Sequence, residues 1–388
     1  MARYANRVAS FSTTIFSEIN ILAAQFEAIN LGQGKPNFDG ASSIVESAIH
    51  ALASGSGNQY APGLGTHELR VGIANHAQHF YQLSVDPKEE VLVTAGATEA
   101  VFSSIMGLVD AGDEVIIIDP FFDSYAPGVM MAGAKPVFVP LHPPLWQFAP
   151  QELTDSFTDK TRAIILNTPH NPTGRVFTRE ELQFIADLCI QHDVTVISDE
   201  VYEHLVYGEH LHIPIATLPD MFERTVTIGS AGKTFGMTGW KIGWVYGPAA
   251  LMTGVWRAHQ FVTFAANHPS QNAVADAFLL GDNYYNWYQQ LYTKKRDMMM
   301  QALDSAGLKS IAPEGTYFVV SDFSEVFKGT DREFSTYLIK EIGVACIPTT
   351  AFFTPEHHHI TDQFVRFSFC KTDELLALAS TRLAKLKH

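Results

Sequence analysis

The stretch Thr225-Val-Thr-Ile-Gly-Ser-Ala-Gly-Lys-Thr-Phe235 joins an apolar run to a turn of small residues that ends on a lysine. A strand followed by Gly229, Ser230, Ala231 and Gly232 presents the Lys233 amine where little crowds it. Such an amine suits covalent bonding to a carbonyl or contact with a phosphate. Spacing removes the nearest motifs. A phosphate-binding P-loop needs four residues between its first glycine and the Gly-Lys pair. Only Ser230 and Ala231 separate Gly229 from Gly232, and Thr227 stands where the first glycine would. The hydrolase elbow G-x-S-x-G fails because Ser230 follows Gly229 directly. An ordinary polar turn stays open at this point.

Outward from this stretch, short Val/Ile runs alternate with amphipathic ones. The pattern predicts strands over 91–94, 114–119, 136–139, 162–167, 194–199, 225–229 and 243–246, with helices over 98–109 and 180–192 among them. Continuous apolar strands between helices imply an α/β fold with a mostly parallel seven-stranded sheet covered on both faces. Ligands of such sheets bind beyond the carboxyl ends of the strands. Asn167, Asp199, Ser230 and Lys233 all fall at such ends. A smaller α+β unit is expected to follow, from a Tyr-rich helix over 283–296, strands over 315–320 and 364–369, and a closing helix from Asp373. The expected division is a large domain, 41–282, and a small one from 1–40 and 283–388.

The 388 residues, 46% hydrophobic, exceed one ordinary domain. A net charge of −15 argues against a nucleic-acid or anionic-membrane surface. Cys189, Cys346 and Cys370 form no C-x-x-C and read as buried thiols of a reducing compartment. The first twenty residues lack a signal-peptide pattern, and no apolar run is long enough to span a membrane. A cytoplasmic enzyme is expected.

Several residue sets carry chemistry. Gly96-Ala97-Thr98 opens a helix, either as an anion site on free N–H groups or as a turn capped by Thr98. Asn167-Thr-Pro-His-Asn-Pro-Thr-Gly174 is a proline-stiffened loop that can hold Asn171 in one orientation. Asp199 ends a buried strand and needs a partner, either a structural arginine or a protonated ring nitrogen. Tyr202 lies three residues on, within one turn. Arg366 sits between Val365 and Phe367, where it can bind a carboxylate in bidentate fashion or form a salt bridge. Phe122 can stack on a planar ring or fill the core. His357-His-His359 reads as a solvated loop and not as a metal site.

Taken together, Asn171-Pro-Thr-Gly174, Ser198-Asp-Glu-Val-Tyr202, Ser230-Ala-Gly-Lys-Thr-Phe235, Thr238-Gly-Trp-Lys-Ile-Gly243 and the late Arg366 resemble the class I/II aminotransferases of pyridoxal phosphate (PLP) fold type I. Thr94-Ala-Gly-Ala-Thr-Glu-Ala100, Asp123-Ser-Tyr-Ala-Pro127, Leu166-Asn-Thr-Pro-His-Asn-Pro172 and Glu314-Gly-Thr-Tyr-Phe318 are most similar to the methionine and kynurenine/glutamine aminotransferase branch. The resemblance implies that Lys233 holds the cofactor covalently and that Asp199 keeps its ring nitrogen protonated. It implies Tyr202 and Asn171 at the ring hydroxyl, Phe122 on the ring, and Ser230, Lys241 and Gly96-Ala97-Thr98 at the phosphate. Arg366, Asn171 and the Gly34 backbone are implied for the substrate α-carboxylate. Tyr60 is implied to reach the partner's active site in a homodimer. Lys241 stands where many relatives have Arg, Thr98 where kynurenine-processing relatives have an aromatic, and Lys35 where some have an apolar residue.

The expected activity is ping-pong amino transfer from a large neutral amino acid (methionine, aromatic or glutamine) to a 2-oxo acid. Phe261, Phe264, Tyr125 and Phe352 are the expected pocket-lining aromatics. The alternatives are a PLP-dependent cysteine-conjugate β-lyase, a kynurenine- or aspartate-type aminotransferase, a nucleotide-binding protein and a non-catalytic regulator.

Overall fold

A computed structural model describes residues 4–387 apart from 10 and 12; the parts of the expected small domain at 1–3, 10, 12 and 388 lie outside the described residues. The predicted strands form a single sheet: β1 (Val91–Thr94), β2 (Glu114–Asp119), β3 (Lys135–His142), β4 (Gln147–Phe148), β5 (Thr161–Asn167), β6 (Thr195–Asp199), β7 (Thr225–Ser230) and β8 (Gly243–Tyr246). Their spatial order is β1-β8-β7-β6-β5-β2-β3-β4. The sheet has eight strands, not seven. The extra one, β4, is only two residues long and pairs antiparallel with the end of β3, so it shows no periodicity in sequence. From β3 to β7 the neighbours are parallel, whereas β8 runs antiparallel to both β1 and β7.

The apolar runs are continuous because each strand feeds two cores. Val115 and Ile117 of β2 enter one core, and Ile116 and Ile118 enter the other. Ile165 and Ile164 of β5, and Ile197 and Val196 of β6, divide in the same way. Side chains alternate across a strand, so a sheet with both faces covered needs an apolar residue at every position. Burying each such side chain is worth about 1.5–3 kcal/mol. On one face, helix Ala97–Leu108 crosses helix Ala249–Val262 at Gly107 and Gly254. A Cβ on Gly107 would lie 2.4 Å from the Gly254 carbonyl oxygen, so the close crossing requires glycine there.

The chain order sets up a switch point. From β2 the chain runs outward to β3 and β4, then returns to β5 on the other side and runs through β6 and β7. The crevice at the carboxyl ends beside this reversal is where open α/β sheets take ligands.

A second sheet is antiparallel, with Phe318–Asp322 between Lys309–Ser310 and Phe364–Ser368, and Ile347–Pro348 on the far side of Phe364–Ser368. The predicted strand over 315–320 therefore starts later, at Phe318. Ile29–Asn30 pairs with Val344–Ala345, and the Ser368 N–H donates to the Leu31 carbonyl at 2.6 Å. These bonds seat the Gly32–Gly34 segment beside Arg366. Helix Asp282–Ser305 is longer than predicted and buries Tyr284, Tyr285, Tyr288 and Tyr292. Among the described residues no helix is long and apolar enough to cross a membrane. All three cysteines are buried and free.

Candidate active site

Strands β5, β6 and β7 are adjacent and parallel, so their last residues Asn167, Asp199 and Ser230 share one edge. Asn167 ties the first two together. Its Nδ2 donates to the Asp199 carbonyl at 2.8 Å, and its Oδ1 accepts from the Asn171 N–H at 2.8 Å. The two asparagines of the proline-stiffened loop are thus consecutive links: Asn167 positions the backbone from which Asn171 projects.

Past Ser230 the chain makes a single helical turn, Ala231–Thr234, which carries Lys233. The turn is held from outside. Tyr288 Oη donates to the Lys233 carbonyl at 2.7 Å, and Tyr284 Oη to the Thr234 carbonyl at 3.0 Å. The Lys233 Nζ donates to Tyr317 Oη at 2.6 Å, and that hydroxyl donates to the Gly34 carbonyl at 2.8 Å. Tyr317 is placed by Thr316, whose φ of +64° is rare for a β-branched residue. Tyr207 Oη holds the Thr316 carbonyl in that conformation at 2.5 Å.

Among the described residues Asp199 has no arginine partner. Tyr125 Oη donates to its Oδ2 at 2.5 Å, and the Val201 N–H lies 3.4 Å from Oδ1. Burial raises the Asp199 carboxyl to about 6, with the Tyr125 hydrogen bond acting in the opposite direction. Burial likewise lowers the Lys233 amine to about 8. Both shifts disfavour the charged forms, as burial does. A carboxylate that is costly to leave unpaired is suited to receive a cationic ring nitrogen.

The lysine shift has a consequence for the cofactor-free protein. A folded value below the unfolded one gives a contribution present above about 10.5 and lost as pH falls through about 8. Replacing Lys233 by Met removes this term. Cofactor-free wild type should therefore gain stability relative to Lys233→Met as pH rises from 8 to 10.5. Melting temperatures of both proteins at pH 7 and pH 10 check this.

Arg366 is 1% exposed. Its Nη1 donates to Asn171 Oδ1 at 2.8 Å and its Nη2 to the Gly32 carbonyl at 2.6 Å. The guanidinium lies 3.9 Å above the Phe318 ring and 4.7 Å from Phe352. Its buried Nε has no partner among the described residues. Burial lowers its pKa to about 10, which still leaves it charged at neutral pH. A buried guanidinium fixed by neutral acceptors, with donors to spare, fits an incoming carboxylate.

These groups border two connected spaces. The first encloses about 240 Å³ and is lined by Phe122, Asp199, Tyr202, Lys233 and the phosphate-side group Gly96, Ala97, Thr98, Ser230 and Lys241. The second shares Phe122, Asn171, Tyr202 and Lys233 and adds Gly34, Lys35, Phe318 and Arg366. At one end, Gly96 at φ +81° is followed by the N-terminus of helix Ala97–Leu108. A Cβ on Gly96 would sit 3.1 Å from the Lys241 Nζ, so glycine lets that amine and the helix N-terminus converge. This end suits a phosphate. The carboxylate of Asp199 is available for a ring nitrogen, Phe122 offers a ring face, and Lys233 offers an amine. The residues present fit pyridoxal phosphate.

Most sequence-predicted site residues meet here, with corrections. Thr98 is not the helix cap; Gly96 occupies that position. Tyr60, 85% exposed, does not line either space of this chain and packs edge-on against Phe264. Phe261 and Phe264 are exposed, so neither is a pocket wall within one chain. Tyr125 lines the first space, as expected, and also holds Asp199, whereas Phe352 lines neither space and lies against the Arg366 guanidinium. His357 does not belong to a solvated loop: its Nδ1 bonds Asp119 Oδ2 at 2.8 Å. Tyr317 had no assigned role from sequence, while the bonds that Tyr125 makes to Asp199 and Asn167 makes to Asn171 were not foreseen. Tyr317 stands inside the quoted segment 314–318, which was its only signal.

Comparison with known proteins agrees with this geometry. Residues 27–383 match the family model for aminotransferase class I and II. Kynurenine–oxoglutarate transaminase 1 of Homo sapiens is 43% identical, over 94% of this chain and 94% of its own length. The structure of N-succinyldiaminopimelate aminotransferase from Mycobacterium tuberculosis superposes with a TM-score of 0.95 at 42% identity, covering 99% of this chain and 100% of that one. A methionine aminotransferase of Escherichia coli superposes with a TM-score of 0.94 at 37% identity, over 99% of this chain and 100% of the other.

Proposed function

This chain belongs to the class I and II aminotransferases, PLP-dependent enzymes acting on amino and 2-oxo acids, and from that premise we propose that Lys233 is its cofactor-bonding lysine and a large neutral amino acid its donor. The observation that carries the reading is the convergence of the Lys233 amine, the buried Asp199 carboxylate and the Arg366–Asn171 pair on adjoining spaces.

When bound, pyridoxal phosphate supplies an electron sink for the bonding pair left at the substrate α-carbon. The residues of the chain do the rest. Asp199 would stabilise the protonated ring nitrogen. Tyr202 and Asn171 would hydrogen-bond the ring hydroxyl oxygen, and Phe122 would cover a ring face. Ser230, Lys241 and the Gly96-Ala97-Thr98 turn would receive the phosphate. Arg366, Asn171 and the Gly34 backbone hold the substrate α-carboxylate. The free Lys233 Nζ takes the α-proton and later returns a proton, which requires an amine that is part-neutral near working pH. Tyr317 steadies that amine. The same groups serve both half-reactions, so the kinetics are ping-pong.

Arg366→Lys tests the carboxylate role. One ammonium cannot serve Asn171, Gly32 and a carboxylate in the geometry of a guanidinium. The Michaelis constant for the amino donor should rise about 10- to 100-fold, the worth of a charged hydrogen bond. The maximal rate should change less; steady-state kinetics report both.

Donor preference rests on the aromatic walls Phe16, Phe122 and Phe318 of the second space and on relatives named for kynurenine and methionine. Glutamine is a further donor within this reading. Relatives named as transaminases favour transfer over β-elimination. A panel of methionine, phenylalanine, kynurenine and glutamine against aspartate and glutamate tests the preference; activity confined to the acidic pair refutes it. The reading also takes the enzyme as a cytoplasmic homodimer in which the exposed Tyr60 reaches the partner's phosphate. It divides the chain into a large unit, 41–282, and a small one from 1–40 and 283–388.

A further inference from the structure

A buried polar cluster that amino transfer leaves unused lies behind the turn that follows β6. Helix His67–Tyr81 contributes His76 and Tyr81, and the turn contributes Glu203 and His204. The Nε2 atoms of His76 and His204 face each other at 2.7 Å. Glu203 Oε1 lies 3.9 Å from the His76 Nε2, and one ligand atom from each of the three residues falls within 4.8 Å of the other two. Tyr81 Oη donates to Glu203 Oε2 at 2.6 Å, which fixes the carboxylate with its other oxygen towards His76. The shell is aromatic: Phe80 and Phe278 lie 4.8 and 5.4 Å from the His76 ring, and Tyr285 lies 4.2 Å from His204. His76 and Glu203 are 5% and 7% exposed, while His204 is only half-buried and gives a way in.

Two imidazole nitrogens meeting head-on can share one proton at most, and a carboxylate oxygen beside them adds a third lone pair. This is a donor set converging on one point in a low-dielectric shell. Its composition, two nitrogens and one oxygen, suits borderline transition ions; calcium and magnesium prefer all-oxygen sites. A ligating carboxylate held by an outer hydrogen bond is the usual support of such a site. We infer that His76, Glu203 and His204 form a binding site for a divalent transition-metal ion of the zinc class, with a fourth position left to solvent. Bonds of about 2.0–2.1 Å in a tetrahedron set two nitrogens about 3.3 Å apart. The pair therefore opens by about 0.6 Å from its 2.7 Å separation when the ion enters. Glu203 and His204 directly follow Tyr202, and the turn is closed by Leu205 N–H to Tyr202 carbonyl at 2.7 Å. The ion thus clamps helix His67–Tyr81 to the turn that carries Tyr202, away from the reacting atoms.

The test uses PLP-loaded enzyme freed of metal by a chelator and then dialysed. Cobalt(II) is titrated in, its visible d–d absorption is followed, and zinc is added in competition. One cobalt per chain is expected, displaced by zinc, with a rise in melting temperature. His204→Asn removes a ligand at the half-buried position and should abolish the band. Tyr81→Phe keeps all three ligands and should weaken cobalt binding about 10- to 100-fold. His358→Ala, in the separate histidine run, should change nothing. Absence of a cobalt band in wild type, or an unchanged affinity in His204→Asn, overturns the site. If His204→Asn does not fold, Tyr81→Phe decides in the same way, because unchanged affinity there contradicts an ordered Glu203 ligand.

Discussion

Lys233→Ala should reduce multiple-turnover transamination by at least about 10⁴-fold, the upper range for a positioned acid–base group. The substitution removes the amine and leaves the rest of the cavity standing. Tyr288 and Tyr284 bond the backbone carbonyls of Lys233 and Thr234, which alanine retains. The helical turn should therefore survive, and the variant should still take up the cofactor non-covalently through Asp199 and the phosphate end. Tyr317 cannot substitute, because burial holds its hydroxyl well above the ordinary phenol value and keeps it a poor base at neutral pH. Steady-state rates with methionine and a 2-oxo acid, alongside cofactor content by absorbance, separate lost chemistry from lost binding. Near-normal turnover would sink the assignment of Lys233.

Asp199→Asn should be the next most damaging change. It keeps the shape and leaves Tyr125 an oxygen to donate to, so the fold should hold. What it removes is the negative charge that offsets a buried cationic nitrogen. Breaking one side of a buried ion pair costs about 3–5 kcal/mol, which converts to a rate or affinity loss of roughly 10²- to 10⁴-fold. The loss should fall on cofactor affinity and maximal rate. The Michaelis constant of the amino donor should move little, because Arg366 and Asn171 hold its carboxylate. A drop of less than tenfold in both quantities would contradict the role given to Asp199.

The strand-end residues were legible because the physics that positions them is local. β5, β6 and β7 announce themselves as Val/Ile runs, and parallel neighbours bring Asn167, Asp199 and Ser230 to one edge without further information. Arg366 was legible as an arginine among apolar residues on a strand. The second layer was not. Tyr125 was legible as a pocket wall but not as a donor to Asp199, and Tyr317 not at all, because these contacts span 74 and 84 residues and a tyrosine's hydroxyl partner is set only by the fold. Phe261 and Phe264 do not line the cavity within one chain for the converse reason: an aromatic at or just past a helix end shows no sign of whether it faces its own core. β4 escaped because two residues carry no period. The His76–His204 contact joins positions 128 apart, so only the fold brings it together, whereas of the adjacent histidines at 357–359 only His357 bonds Asp119.

The half-reaction tests the whole account most directly. The PLP-loaded enzyme is mixed with excess methionine and no 2-oxo acid, and the cofactor absorption is followed while the released keto acid is counted. The account requires complete conversion of the cofactor to its amine form with one 2-oxo acid released per active site, and full reversal when a 2-oxo acid is added. An unchanged spectrum with every amino donor tried, or continuous release of ammonia in place of a single stoichiometric step, would contradict it.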